Sequence, residues 1–294
     1  MDKIDKRVWA ALLFVQVAFG GLHVVAKVVL THLHPLALAS IRVLCATPIL
    51  FALAWWLEGK LPRLRDLPHL ALLGMLGVFF NQMLFLIGLQ YTTATNAGII
   101  MPSIPIFTVM LAALFGVERI NRRQFAGILL AVGGAVFMLN PLGFSLANDK
   151  VFGNILMLIN TLCYAGFLVA QRPLLRRLPP LTVIAWAFLF GSIGMLIAGH
   201  RHLLAVDFAA VPSSAWLGMV YIVLIPTVIS YGLNAWSLSR SSPSLVAVFT
   251  TLQPVTATVL AAIFLHEQAR WYEAMGFFFI VTGLFVVSRG RLRR

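Results

Sequence analysis

The chain has 294 residues, 61% of them hydrophobic and 11% charged, with a mean hydropathy of +0.94. A soluble domain carries roughly 25% charged residues, so this composition excludes an ordinary water-facing globule and makes a lipid bilayer the expected solvent. The formal net charge of +13 is not a nucleic-acid footprint, because Lys and Arg gather in alternate loops, and no nucleic-acid partner is expected.

Apolar runs of the ~20 residues that cross a ~30 Å hydrocarbon core recur along the whole length. The first follows a basic start, Lys3 to Arg7, and continues from Val8 to about Leu30. That is longer than the apolar region of a signal peptide, and no small-x-small site closes it, so it reads as a retained first helix. The further predicted spans are 36–57, 68–89, 94–116, 123–140, 152–172, 181–199, 213–238, 244–265 and 271–288. Helix breakers separate them at His34-Pro35, Leu61-Pro62, Asn140-Pro141, Pro179-Pro180, Val211-Pro212 and Ser242-Pro243. Cys45 and Cys163 fall inside apolar runs and read as small core residues, not as a disulfide.

This division can be tested by charge. Lys3, Lys6, Arg7, Lys60, Arg63, Arg65, Arg119, Arg122, Arg123, Arg172, Arg176, Arg177, Arg240, Arg289, Arg291, Arg293 and Arg294 share one side, seventeen of the 22 basic residues. The other side has Lys150, Arg201 and Arg270, while Lys27 and Arg42 lie within spans. A wrong span count would scramble that bias, so the positive-inside rule puts both termini in the cytoplasm. The seven tryptophans fall near span ends, where indole prefers the interface.

The chain also repeats itself. Sliding 89–136 onto 238–285 without gaps aligns Pro105 with Pro254, Glu118 with Glu267, Gly127 with Gly276 and Gly134 with Gly283. An earlier segment aligns Gly21 with Gly166 and Pro35 with Pro180. Five spans in each half is an odd number, so the second half enters the membrane from the opposite side. The expected fold is an all-α membrane protein of ten transmembrane helices in two inverted repeats, 1–150 and 151–294. Inverted repeats are typical of secondary transporters, with a substrate site near the midplane between the halves.

Gly20-Gly21 through Lys27, Pro35 and Arg42, then Gly88-Leu89-Gln90-Tyr91-Thr92-Thr93-Ala94, Pro105, Leu111–Phe115 with Glu118, and Gly127–Gly134 carry a further signal. With the matching pattern around Pro254, Glu267 and Gly276, the chain resembles an EamA-type member of the drug/metabolite transporter superfamily. The resemblance implies ten helices, inverted five-helix repeats, an inner-membrane location and, often, export of amino acids or other metabolites.

Polar residues deep in apolar spans are costly and therefore informative. In the first span Gln16, Gly20, His23 and Lys27 share one helical face, and in its repeat partner Asn160, Tyr164, Phe167 and Gln171 do the same. The eighth span offers Thr227, Ser230, Tyr231 and Asn234 beside Pro226, and the third offers Asn81 and Gln82. These stripes are expected to face one central cavity. Arg42 is the sharpest of them: all nine acids lie in loops or at span ends, so its cation is answered either by backbone carbonyls or by an anionic group such as a substrate carboxylate. Pro105 and Pro254 are expected to interrupt the fourth and ninth helices at matching positions, pointing to a site or gate.

The outer-loop pairs His32/His34 and His200/His202 read as loop residues, so no metal and no cofactor is expected. No nucleophile elbow or zinc-protease motif supports the rival reading of a membrane-embedded enzyme, and the loops are too short for a receptor's docking domain. A small-molecule substrate and the bilayer are the expected partners, in a monomer or homodimer. A cysteine introduced as Asn148→Cys is predicted to react with an impermeant reagent added outside cells. Reaction only after lysis would overturn the map.

Overall fold

The computed structural model describes residues 5–92, 94–138, 148–256, 259 and 271–289. Helices make up the fold, with no strand among the described residues. They are α1 Lys6–Leu30, α2 Pro35–Leu57, α3 Leu64–Tyr91, α4 Ala94–Ile100, α5 Ser103–Leu114, α6 Arg122–Met138, α7 Asn148–Leu175, α8 Pro180–Leu204, α9 Ser213–Arg240, α10 Pro243–Phe249 and α11 Trp271–Arg289. Among the described residues, five stretches are long and apolar enough to cross a membrane: α2, α3, residues Lys150–Leu175 of α7, α8 and α9. Large apolar side chains on the outside, such as Leu114, Ile197, Leu217 and Phe278, are exposed, as a hydrocarbon solvent requires.

Helix starts follow local chemistry. Asp5 caps α1 by accepting the Arg7 N–H at 2.9 Å, and proline opens α2, α8 and α10, where its missing N–H is not needed. Pro179, before α8, has no side chain that can cap. Glu58 supplies the cap from far away in sequence: its carboxylate accepts the N–H groups of Leu181 at 3.0 Å and Thr182 at 2.7 Å. Glu118 does the same for α10 by accepting the Ser244 N–H at 3.2 Å. Each carboxylate meets orphan donors at the positive end of a helix dipole.

Two helices carry π-turns, Met75–Phe80 in α3 and Leu224–Ile229 in α9. Residue for residue they stand 149 positions apart, as do α4 and α10. The structure corrects the expected proline breaks. The interruption of the fourth span falls at Met101–Pro102, and Pro105 lies in the first turn of α5, after it. Likewise the ninth span breaks at the 3-10 turn Thr250–Leu252, and Pro254 follows it. A first-turn proline forfeits no intrahelical bond, so these two start helical segments and do not interrupt them.

Helices from the first 138 residues pack largely on helices from the rest: α2 on α8, α6 on α11, α1 on α9, and α3 on α7 and α8. At the α6–α11 crossing the two backbones approach closely. A Cβ at Gly283 would lie 2.5 Å from the Gly127 carbonyl oxygen, and one at Gly134 2.8 Å from that of Gly276. Gly283→Val is therefore predicted to cost about 1–3 kcal/mol by overpacking, read as a lower unfolding temperature in detergent. Gly133→Ala, with nothing within 4 Å of the new Cβ, should unfold at or above the parent temperature, and equal losses would contradict this packing.

Candidate functional site

A cavity of about 70 Å³ lies among α1, α2, α3, α5, α7 and α9. One water needs roughly 10–15 Å³ on this measure, so the space suits a solute of only a few heavy atoms. Its polar wall is Arg42, Asn81, Gln82, Asn160, Tyr164, Tyr231 and Gln253, and its apolar wall is Phe19, Leu22, Phe85, Met101 and Ile104.

Arg42, on α2, is buried, and its Nε donates to Thr227 Oγ1 at 2.6 Å. That hydroxyl in turn donates to the Ile222 carbonyl at 2.6 Å. In a regular helix the Ile222 oxygen would take the N–H of residue 226, which is proline and has none. The π-turn brings Thr227 into that place, so one hydroxyl repairs the proline's gap and anchors the cation. The anchor uses only Nε. No carboxylate pairs with Arg42 among the described residues, and its terminal nitrogens remain for whatever enters the cavity.

The π-turn of α3 is used differently. Tyr231 donates its hydroxyl to the Gly77 carbonyl at 3.2 Å. Gly77 has to be glycine, because a Cβ there would lie 2.1 Å from the Phe167 ring. Asn234 Nδ2 donates to the Tyr164 hydroxyl at 2.7 Å, behind the cavity wall. Asn160 Nδ2 donates to the Asn81 carbonyl.

Several buried polar atoms have no hydrogen-bond partner among the described residues, the amide oxygens of Gln82, Asn160 and Asn234 among them. Gln82 and Asn160 are 3% and 1% exposed. Leaving such a group unmet costs about 1–3 kcal/mol, and its persistence on a cavity wall is the signature of groups that a ligand or water satisfies.

The structure brings Arg42, Asn81, Gln82, Asn160, Tyr164 and Tyr231 together on the wall, with Asn234 behind it against Tyr164 and Pro226 buried in the α9 π-turn beside Thr227. Gln171 stands apart: its Nε2 donates back to the Phe167 carbonyl of its own helix at 3.2 Å, and it does not line the cavity. His23 and Lys27 are carried by α1, but their side chains lie outside the described residues. Gln253 was missed, although a lone amide in an apolar run next to Pro254 meets the criterion that picked out Gln82. Its Nε2 donates to Gln16 Oε1 at 3.2 Å. The apolar wall had no sequence signal, since a cavity phenylalanine and a lipid-facing one read alike.

Thr227→Val is predicted to release Arg42 and the Ile222 carbonyl together, destabilising the fold by about 1–3 kcal/mol. Thr227→Ser keeps the hydroxyl and should unfold near the parent temperature. A valine variant as stable as the parent would show that the hydroxyl anchors neither group.

The pattern of the EamA-like transporter family matches twice, over residues 8–140 and 151–289. An uncharacterized transporter of Archaeoglobus fulgidus is 26% identical, over 92% of this chain and 93% of that protein. A probable terminal-alkyne amino-acid exporter of Streptantibioticus cattleyicolor is 28% identical, over 99% and 96%. Protein WALLS ARE THIN 1 of Arabidopsis thaliana is 27% identical, over 96% and 82%. A crystal structure with 20% identity covers 98% of this chain and 99% of its own at a TM-score of 0.79, which shows a shared fold. With both halves of its length matched, the chain belongs to the EamA-like transporter family.

Proposed function

We propose that this protein is a secondary transporter that exports amino acids or related small metabolites bearing a carboxylate, by alternating access between two inverted five-helix repeats. The observation that carries the reading is Arg42, a buried cation held by a single nitrogen, with its other donors turned over to a small cavity that also presents unpartnered amide oxygens. The planar fork of a guanidinium suits two carboxylate oxygens at once. The amide oxygens of Gln82 and Asn160 suit an ammonium group, and Phe19, Phe85 and Met101 suit a short apolar side chain. The amino-acid exporter among the relatives fits this choice.

The repeat reading, residues 1–150 against 151–294, has its own support. The family pattern matches each half separately, and the two π-turns share the 149-residue spacing of the repeat. The pairs α2·α8 and α6·α11 each join an element to its repeat counterpart, and the repeat exchanges α1·α9 with α3·α7. With α4 and α5 together as one span, and α10 with the described residues 250–256 as another, the count is ten. Both termini then face the cytoplasm of a cell whose inner membrane holds the protein.

Near-symmetry also suggests how the two states differ. On the basic face Glu58 and Glu118 cap α8 and α10, and Arg172 donates to the Leu238 and Ser239 carbonyls at 2.8 and 3.0 Å. Asp207 follows the end of α8 much as Glu58 follows the end of α2, and it bonds only within its own loop, accepting the Ala209 N–H at 3.1 Å. In the exchanged state Asp207 takes the start of α2 as Glu58 takes the start of α8, while the Glu58 contact opens.

Arg42→Ala is predicted to lower counterflow of labelled amino acids in proteoliposomes by roughly 10–100-fold, the worth of a charged hydrogen bond. Arg42→Lys should recover only part, because an ammonium lacks the fork. Unfolding temperature serves as the control for folding. A folded Arg42→Ala that transports as well as the parent would end the reading.

A further inference from the structure

A second hollow lies on the basic face, between the α2–α3 connection and the end of α7. It measures about 290 Å³ and is lined by Lys60, Arg63, Arg65, Asp66 and Arg177 with two leucines. The carboxylate of Asp66 is buried and already engaged: it lies 2.7 Å from Arg177 and accepts the Arg63 N–H at 3.2 Å. No carboxylate pairs with Lys60, Arg63 or Arg65 among the described residues. Three cations therefore surround one hollow with no carboxylate partner among the described residues.

These cations sit on a fastened segment. Gly59 turns the chain with φ of 58°, Glu58 is tied to α8, and the Lys60 carbonyl accepts from Thr182 Oγ1 at 3.4 Å. At the other end Asp66 ties the start of α3 to Arg177. A loop that served only to bias topology would need basic residues, but it would not need them braced from both ends around a space.

Apolar side chains flank the lining residues in the chain. Trp55 and Trp56, in the last turn of α2, and Leu64, between two of the cations, are 72%, 80% and 85% exposed, and exposed indoles mark the level of the lipid headgroups. A free anion would satisfy the cations but leave these side chains unused, whereas a lipid can satisfy both. Basic pockets between helices at the cytoplasmic interface suit anionic headgroups. We propose that the hollow binds the phosphate headgroup of an anionic phospholipid, with its acyl chains laid along Trp55, Trp56 and Leu64.

The test is native mass spectrometry of the full chain with phosphatidylglycerol and phosphatidylcholine of matched acyl chains. The parent is expected to hold phosphatidylglycerol preferentially. Arg63→Gln/Arg65→Gln should lower that preference at least about tenfold, and Lys60→Gln/Arg65→Gln should do the same if the first pair folds poorly. Arg122→Gln/Arg123→Gln removes equal charge from the same face away from the hollow, and should leave the preference intact. An equal loss in this control would mean diffuse charge attraction and overturn the site. So would a parent with no preference, or complete displacement of the lipid by inorganic phosphate, which would make the hollow a site for free anions.

Discussion

Arg42 enters α2 at its eighth residue, and a guanidinium at that depth constrains two helices at once, α2 and α9. A charge at a bilayer centre costs about 2.5–3.5 kcal/mol on insertion scales, and no carboxylate among the described residues offsets it. The protein meets the cost with Thr227, which is itself occupied in repairing the backbone at Pro226. The kink of α9, the rotation of α2 and the open side of the guanidinium are consequently one arrangement. Moving any of them leaves a buried donor or acceptor without a partner.

The π-turns extend the same logic to the rest of the cavity. Such turns free a carbonyl from the helix ladder, and they are frequent at functional sites. In α9 the freed group is met by Thr227, and in α3 the Gly77 carbonyl is met by Tyr231 from across the bundle. The segments after each turn carry wall residues, Asn81, Gln82 and Phe85 in one and Tyr231 in the other. Equivalent backbone devices, 149 residues apart, thus serve unlike side chains on the cavity wall.

Fastening at the basic face follows a different rule. Glu58 and Glu118 reach helix starts that lie more than a hundred residues away. They bind orphan N–H groups and, at Glu58, the Thr182 hydroxyl; all of these donors are neutral, so the contacts can part without leaving a buried unpaired charge. Contacts of that kind suit a face that opens and closes, whereas the glycine-mediated crossing of α6 and α11 suits a part that does not.

By itself the sequence determined the solvent, the apolar runs that become long helices, the gathering of basic residues between those runs, the spacing of the internal repeat, and which residues are too polar to face lipid. Each of these is local or one-dimensional: hydrocarbon charges every residue the same cost wherever the fold places it. What only the tertiary structure decided is which polar groups meet. Thr227 anchors Arg42 from 185 positions away, Gln253 joins the wall, Gln171 turns back on its own helix, and the prolines at 105 and 254 start segments that the sequence suggested they would interrupt. Those outcomes depend on how far each helix is rotated about its axis and how closely it crosses its neighbour. Small residues such as Gly77 and Gly283 set those distances through contacts with segments remote in the chain, so no stretch read alone contains them.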